Sequence, residues 1–173
     1  MPDEPTLDTL DLALLTALRD KPRAGVLELS RTTRVARATV QSRLDRMERS
    51  GVITGYGPDI DVAAAGFPVQ AFVTLEIVQG ALGDVAADLV ALPSVLEAYA
   101  TTGSGDVLCK VAAASHQDLQ EILLRLNLST SIARSTSVVV LSTVVAPRTL
   151  PMLASRLRRS ATRAPAFRER TDE

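Results

Sequence analysis

Residues Arg34–Tyr56 read RVARATVQSRLDRMERSGVITGY, and the spacing inside this stretch sets the fold of the first third of the chain. Val40, Leu44 and Met47 recur at intervals of four and three, the repeat of one helix face. Ala38, Gln41, Ser42, Asp45 and Arg49 fall on the opposite side, with Arg37 and Arg46 flanking. Gly51 stops the helix, and Val52-Ile53-Thr54-Gly55-Tyr56-Gly57 follows as a strand-like piece between glycines, the pattern of a wing. Small and amide side chains among arginines suit a major groove. Short groups permit close approach, Gln and Arg offer donors to base edges, and flanking arginines neutralise phosphates. A solvated face charged for solubility is the competing reading. Asp45 weighs toward it, because phosphates repel a carboxylate, unless Asp45 pairs with Arg49 one turn on.

Upstream, the pattern predicts two more helices. Asp8 or Thr9 can cap a helix carrying Leu10, Leu14, Leu15 and Leu18. Asp11 lies in its first turn, where a negative charge suits the helix dipole. Lys21-Pro22-Arg23 breaks it. A short second helix is expected over Val26–Thr33, with Leu27 and Leu29 inward and Gly25 near its N-terminus. Arg34-Val35 then turns the chain into the third helix, giving a helix–turn–helix.

Downstream, Gly57-Pro58-Asp59 signals a turn, and residues 57–67 read as a linker between a DNA-binding domain (1–56) and a second domain (68–147). Val69–Val78 alternates, with Val69, Ala71, Val73, Leu75 and Ile77 on one face. Residues 81–92 carry the helical stripe Leu82, Val85, Ala86, Leu89 and Val90, stopped by Pro93. Val95–Thr102 and Val107–Ala113 read as strands joined by the tight loop Gly103-Ser104-Gly105-Asp106. Ser115 with Asp118 opens a helix bearing Leu119, Ile122, Leu123 and Leu126. Ser135–Val145 reads as the last strand. The order βαββαβ is the ferredoxin-like arrangement, so the chain is α+β. Helices cover one face of such a sheet. The other face, carrying Phe72, Val78 and part of Val138–Leu141, is left for a partner, which predicts a dimer.

Charge divides the chain the same way. Residues 21–50 hold eight basic against three acidic groups, a net +5, residues 51–147 are net −6, and 148–173 are net +4. A basic module beside an acidic one fits a protein of which only one part meets a polyanion. The single cysteine, Cys109, excludes an intrachain disulfide and a Cys-based zinc site. The N-terminus MPDEPTLDTLD has no positive segment leading an apolar one, so no secretory signal is expected. No apolar run reaches the ~18 residues of a membrane span. A cytoplasmic location follows as the expectation.

LDTLDLALLTAL, Arg23 with LELS, TVQSRLDRMERSGVITGY, TGSGDVL and ARSTSVVVL occur in an order and spacing that resembles the Lrp/AsnC (feast/famine) transcription regulators over about residues 7–147. The resemblance implies an N-terminal winged helix–turn–helix and a C-terminal ferredoxin-like βαββαβ effector domain. It implies double-stranded DNA as partner, an amino acid or similar small metabolite as effector rather than a cofactor, and dimers that assemble further, often to octamers. Arg34, Arg37, Ala38, Thr39, Gln41, Ser42, Arg43 and Arg46 are then the expected DNA-binding residues. Carried over residue by residue, the effector site comprises Thr102, Gly103, Asp106, Leu108, Ser135 and Ser137. Backbone N–H groups at glycines can hold a carboxylate, Asp106 can accept from an α-ammonium, and the hydroxyls complete the bonding. As a plain hairpin, Gly103–Asp106 needs no ligand.

The chain departs from the family pattern at two places. Arg34 and Ala36 stand where Gly and then Ser usually enter the recognition helix, and a lost Ser cap costs about 1 kcal/mol. After Arg148, a tail with Leu150, Met152, Leu153 and Leu157 beside Arg156, Arg158 and Arg159 reads as a short basic amphipathic helix followed by a disordered end. Two other functions remain open at this point. Similar haem-pathway decarboxylases use histidine, here represented by His116 alone, and an architectural protein would wrap DNA without effector control.

Overall fold

The computed structural model describes residues 7–161. They fold as two compact units, one built from residues 7–58 together with 146–161, the other from Asp59–Val145.

The first unit holds α1 (Thr9–Asp20), α2 (Val26–Thr33), α3 (Arg37–Arg49) and the C-terminal α6 (Leu150–Ala161). Asp8 caps α1: its carboxylate accepts from the N–H groups of Leu10 and Asp11, and Asp11 accepts in return from the Asp8 N–H. This reciprocal box satisfies donors that a helix start leaves open, an effect of about 1 kcal/mol. Leu14, Leu29, Val40, Leu44 and Met47 form the core. Leu27, expected inward, is exposed. Positions 27 and 29 cannot share one face of a helix, and Val26 packs beside Leu29 instead.

Past Gly51 no strand forms. The N–H groups of Val52 and Ile53 both donate to the Met47 carbonyl, which closes the end of α3 and leaves no extended ladder. The Tyr56 hydroxyl then donates to Glu48 at 2.6 Å. The basic segment after Arg148 does form a helix. Its Leu150, Leu153, Ala154 and Leu157 are half-buried, and α6 packs on α1 as part of the first unit. The expected disordered end lies outside the described residues.

The second unit holds β1 (Val69–Ile77), α4 (Leu82–Val90), β2 (Val95–Ala100), β3 (Val107–Ala113), α5 (His116–Asn127) and β4 (Ile132–Val139). The strands form one antiparallel sheet in the order β2-β3-β1-β4. Alternation along β1 buries Ala71, Val73 and Leu75, and along β3 Val107, Cys109 and Val111. These pack with Val85 and Leu89 of α4 and Leu119, Ile122 and Leu126 of α5. Val90, expected in the α4 stripe, is exposed, as is Leu82. Ser115 caps α5 by accepting from the Asp118 N–H at 3.1 Å. The last strand runs earlier than expected, ending at Val139.

The sheet's second face is uncovered. It carries Phe72 opposite Val138 and Lys110, then Thr74 opposite Thr136 and Leu108. Phe72 is 41% and Val138 65% exposed. Lys110 lies 6.0 Å from the Phe72 ring centroid, in cation–π range.

Candidate DNA-reading face and ligand-binding loop

The two halves of helix α3 differ. Its N-terminal half shows Arg37, Ala38, Thr39, Gln41 and Ser42 to solvent. Gln41 donates to Asp45 at 2.7 Å, and the Arg49 guanidinium donates to the Asp45 backbone carbonyl rather than to its carboxylate. The expected Asp45–Arg49 side-chain pair is therefore replaced by a Gln41–Asp45 bond, which tempers the carboxylate without a cation.

The C-terminal half is fastened inward. Arg43 donates to Asp8 and, at 3.2 Å, to Asp11, and Arg46 donates to Asp11. Asp11 is fully buried. Burying a carboxylate without partners is strongly disfavoured, and here the two guanidiniums supply those partners. Burial pushes the Asp8 carboxyl up, but the Arg43 hydrogen bond, the Asp11 and Leu10 N–H groups and the Arg43 charge outweigh it and hold the group below its ordinary value. Of the arginines expected at phosphates, Arg43 and Arg46 thus already have partners within the unit. Arg34 and Arg37 make no ion pair among the described residues.

The turn before α3 is tightly defined. Arg34 caps α2 in the left-handed region (φ 58°), with its N–H on the Ser30 carbonyl. The Val35 N–H donates to the same carbonyl, and the Ser30 hydroxyl donates to the Val35 carbonyl at 2.6 Å. Ala36 precedes α3 with no side-chain cap.

In the second unit, the loop between β2 and β3 is fixed to β1. The Thr101 N–H and hydroxyl donate to the carbonyls of Asp106 and Gly105, each at 2.9 Å, and the Asp106 N–H donates to the Leu75 carbonyl. The Asp106 carboxylate accepts the Ile77 N–H at 2.8 Å, where the β1–β4 register shifts between Glu76 and Ile77. Gly103 has φ 125°, a backbone few side chains tolerate. A Cβ on Gly105 would lie 2.1 Å from the Thr74 methyl. Thr102 and Gly103 are exposed on this rim.

Across β1, Ser135 stands opposite Leu75 and Ser137 opposite Val73. Both serines therefore share the register of the helix-covered face, and the Ser135 hydroxyl donates to Asn127 at the end of α5, 2.7 Å away. Leu108 stands opposite Thr74 and Tyr99, on the uncovered face. The structure thus ties Asp106 to β1 at Leu75 and Ile77, sets Ser135 opposite Leu75 on the neighbouring strand, and turns Leu108 to the uncovered face of the sheet.

Residues 7–54 match the family described as winged helix-turn-helix DNA-binding, and residues 70–150 the Lrp/AsnC ligand binding domain. An HTH-type transcriptional regulator of Mycobacterium tuberculosis is 32% identical over 141 residues, covering 80% of this chain and 95% of its own. The solved structure of Escherichia coli AsnC aligns with TM-score 0.78 at 28% identity, covering 84% of this chain and 99% of that one. A transcriptional regulator of Neisseria meningitidis, solved as an L-Met complex, aligns with TM-score 0.76 at 25% identity, covering 86% and 99%. The chain belongs to the Lrp/AsnC family of DNA-binding transcriptional regulators.

In this Lrp/AsnC regulator, His116, the residue on which a decarboxylase would depend, is an exposed residue opening α5. Cys109 is buried, which pushes its thiol up to about 11 and keeps it protonated. No cluster of potential metal ligands occurs among the described residues, and no helix there is long and apolar enough to cross a membrane. Sequence reading missed Asp8 and Asp11 as partners of α3. The pattern LDTLD showed two acids one turn apart at a helix start, but nothing local showed that arginines 32 and 35 residues on would reach them. It also missed Ile77 and Asn127 as the groups already holding Asp106 and Ser135.

Proposed function

We propose that this Lrp/AsnC regulator reads duplex DNA with the N-terminal half of α3 and that an amino acid or related small metabolite, held beside the β2–β3 loop, biases its assembly. The observation that carries the DNA reading is the exposed set Arg37, Ala38, Thr39, Gln41 and Ser42, with Arg34 beside it, on a helix whose other residues are buried or paired. Short groups and a movable amide face the bases, while Arg34 and Arg37 meet phosphates. Arg43 and Arg46 serve mainly to hold α3 against α1. Replacing Arg37 and Gln41 together by Ala is expected to weaken operator binding at moderate salt by tenfold or more, about 1–3 kcal/mol per lost base contact. Unchanged binding in an electrophoretic shift assay would remove the assignment.

The effector reading is supported by the loop geometry and by the L-Met complex of the Neisseria relative. Asp106 has one carboxylate oxygen on Ile77, leaving the other for an α-ammonium, and the exposed N–H groups near Gly103 suit an α-carboxylate. Ser135 and Ser137 would complete the site, with further groups from a neighbouring subunit. Homodimers through the uncovered sheet face, around Phe72 and Val138, and a higher oligomer such as an octamer, supply that neighbour. Linkage then follows: a ligand preferring one assembly favours it, and that assembly presents α3 at its own spacing. The protein would act in the cytoplasm, where the DNA is. Thermal shift across the amino acids tests the effector. Stabilisation by one of them supports the reading, and none by any removes it.

A further inference from the structure

Arg34 is the only non-glycine with positive φ among the described residues. In the left-handed region a Cβ crowds the following carbonyl, and a helix ending in this conformation favours Gly at that position. Three hydrogen bonds around Ser30 and the half-buried Val35 determine the turn, so the chain cannot relax out of it. A residue held in a disfavoured backbone by its surroundings costs stability, and such residues cluster where a side chain is used.

Arg34 is exposed, and its side chain has no bonded partner among the described residues. It stands between Arg31 and Arg37, which are likewise without one, so three cations at intervals of three residues line the helix–turn–helix. The arginines further along α3 are either taken up by Asp8 and Asp11 or bonded to a backbone carbonyl. From α2 through α3 the arginines without a bonded side chain are thus the three along the turn, and a polyanion is the partner that fits them.

We propose that Arg34 is a phosphate-contacting residue of the DNA interface, kept at a position where glycine would fold better. This rests on the reading that α3 enters the DNA. A different role makes the opposite stability claim: a cation at the C-terminal end of α2 is favoured by the helix dipole, so its removal would destabilise.

The test uses the full chain and duplex DNA of mixed sequence, since phosphate contacts show in non-specific binding and its salt dependence. Arg34→Gly is expected to raise the melting temperature by a few degrees, weaken binding several-fold, and reduce the slope of log affinity against log salt by about 0.9. Arg34→Lys keeps the slope and gains no stability. Arg37→Ala is the control for α3 itself. If Arg37→Ala lowers the slope and Arg34→Gly does not, Arg34 is no contact although α3 still is. If neither changes it, the α3 reading fails as well. A lower melting temperature in Arg34→Gly overturns the strain argument in favour of the dipole role.

Discussion

The two units of this regulator are stabilised differently. The DNA-binding unit closes a small apolar core around Leu14, Leu29, Val40, Leu44 and Met47 and sets a fully buried carboxylate, Asp11, beside it. The ligand-binding unit closes a larger core of strand and helix residues, and no buried charged side chain occurs in it among the described residues. The pose of the recognition helix therefore depends on ionic contacts with α1. The shape of the β2–β3 loop depends on close packing and backbone hydrogen bonds. Charge perturbations should act on the first unit and steric ones on the second.

The largest effect is expected from Asp11→Ala. It removes the acceptor of Arg43, Arg46 and the Asp8 N–H at once. Breaking a fully buried ion pair costs ~3–5 kcal/mol. Here the arginine side chains are 28% and 43% exposed and can turn to water, so about 2–3 kcal/mol is expected. Hydrogen exchange should rise in α1 and α3 and stay unchanged in the sheet. Equal loosening of both units would erase the contrast.

Next in size is Gly105→Ala. Its Cβ would meet the Thr74 methyl at 2.1 Å, and overpacking of this kind costs about 1–3 kcal/mol. Only the ligand-binding unit should lose protection. Thr74→Ser, which deletes that methyl, should restore most of the loss in the double variant. Failure of the rescue would show that the loop is held by something other than this contact.

The sequence showed best what depends on near neighbours. Val40, Leu44 and Met47, the alternation of Ala71, Val73 and Leu75, and the Ser115 cap all follow from spacings of two to four residues, and all stand in the structure. What it concealed depends on distant ones. The Asp11 partners lie more than thirty residues away, and the register that separates Leu108 from Ser135 and Ser137 is set by pairing across β1. The strand expected in Val52–Gly57 rested on equally local signs, and it does not form within the chain, where the Val52 and Ile53 N–H groups go to the Met47 carbonyl. The effector residues were proposed from resemblance. Of these, Asp106 is bonded to Ile77 where the β1–β4 register shifts, and Ser135 stands opposite Leu75 two residues before it.

Asp106→Asn separates the loop's structural role from the proposed ligand role. Asparagine keeps an oxygen for the Ile77 N–H but loses the charge expected to face an α-ammonium. Stability should change by less than about 1 kcal/mol, while thermal stabilisation by an amino acid is lost. Retained stabilisation would mean that another group binds the ammonium.

The smallest effect concerns pH and returns to the ionic contacts of α1. The Asp8 carboxyl is held below its ordinary value of 3.8 in the folded chain, so folding favours its ionised form. Its contribution is fully present above that value and is lost as pH falls through the lower folded one. Asp8 is half exposed, and water screens much of the attraction, so the change is small. Asparagine is also a good helix cap, which makes Asp8→Asn a clean comparison. On acidification below 3.8, the urea midpoint of the DNA-binding unit should fall more steeply in the native chain than in Asp8→Asn. Parallel curves would show that Asp8 acts only as a cap and that Asp11 alone fastens the recognition helix.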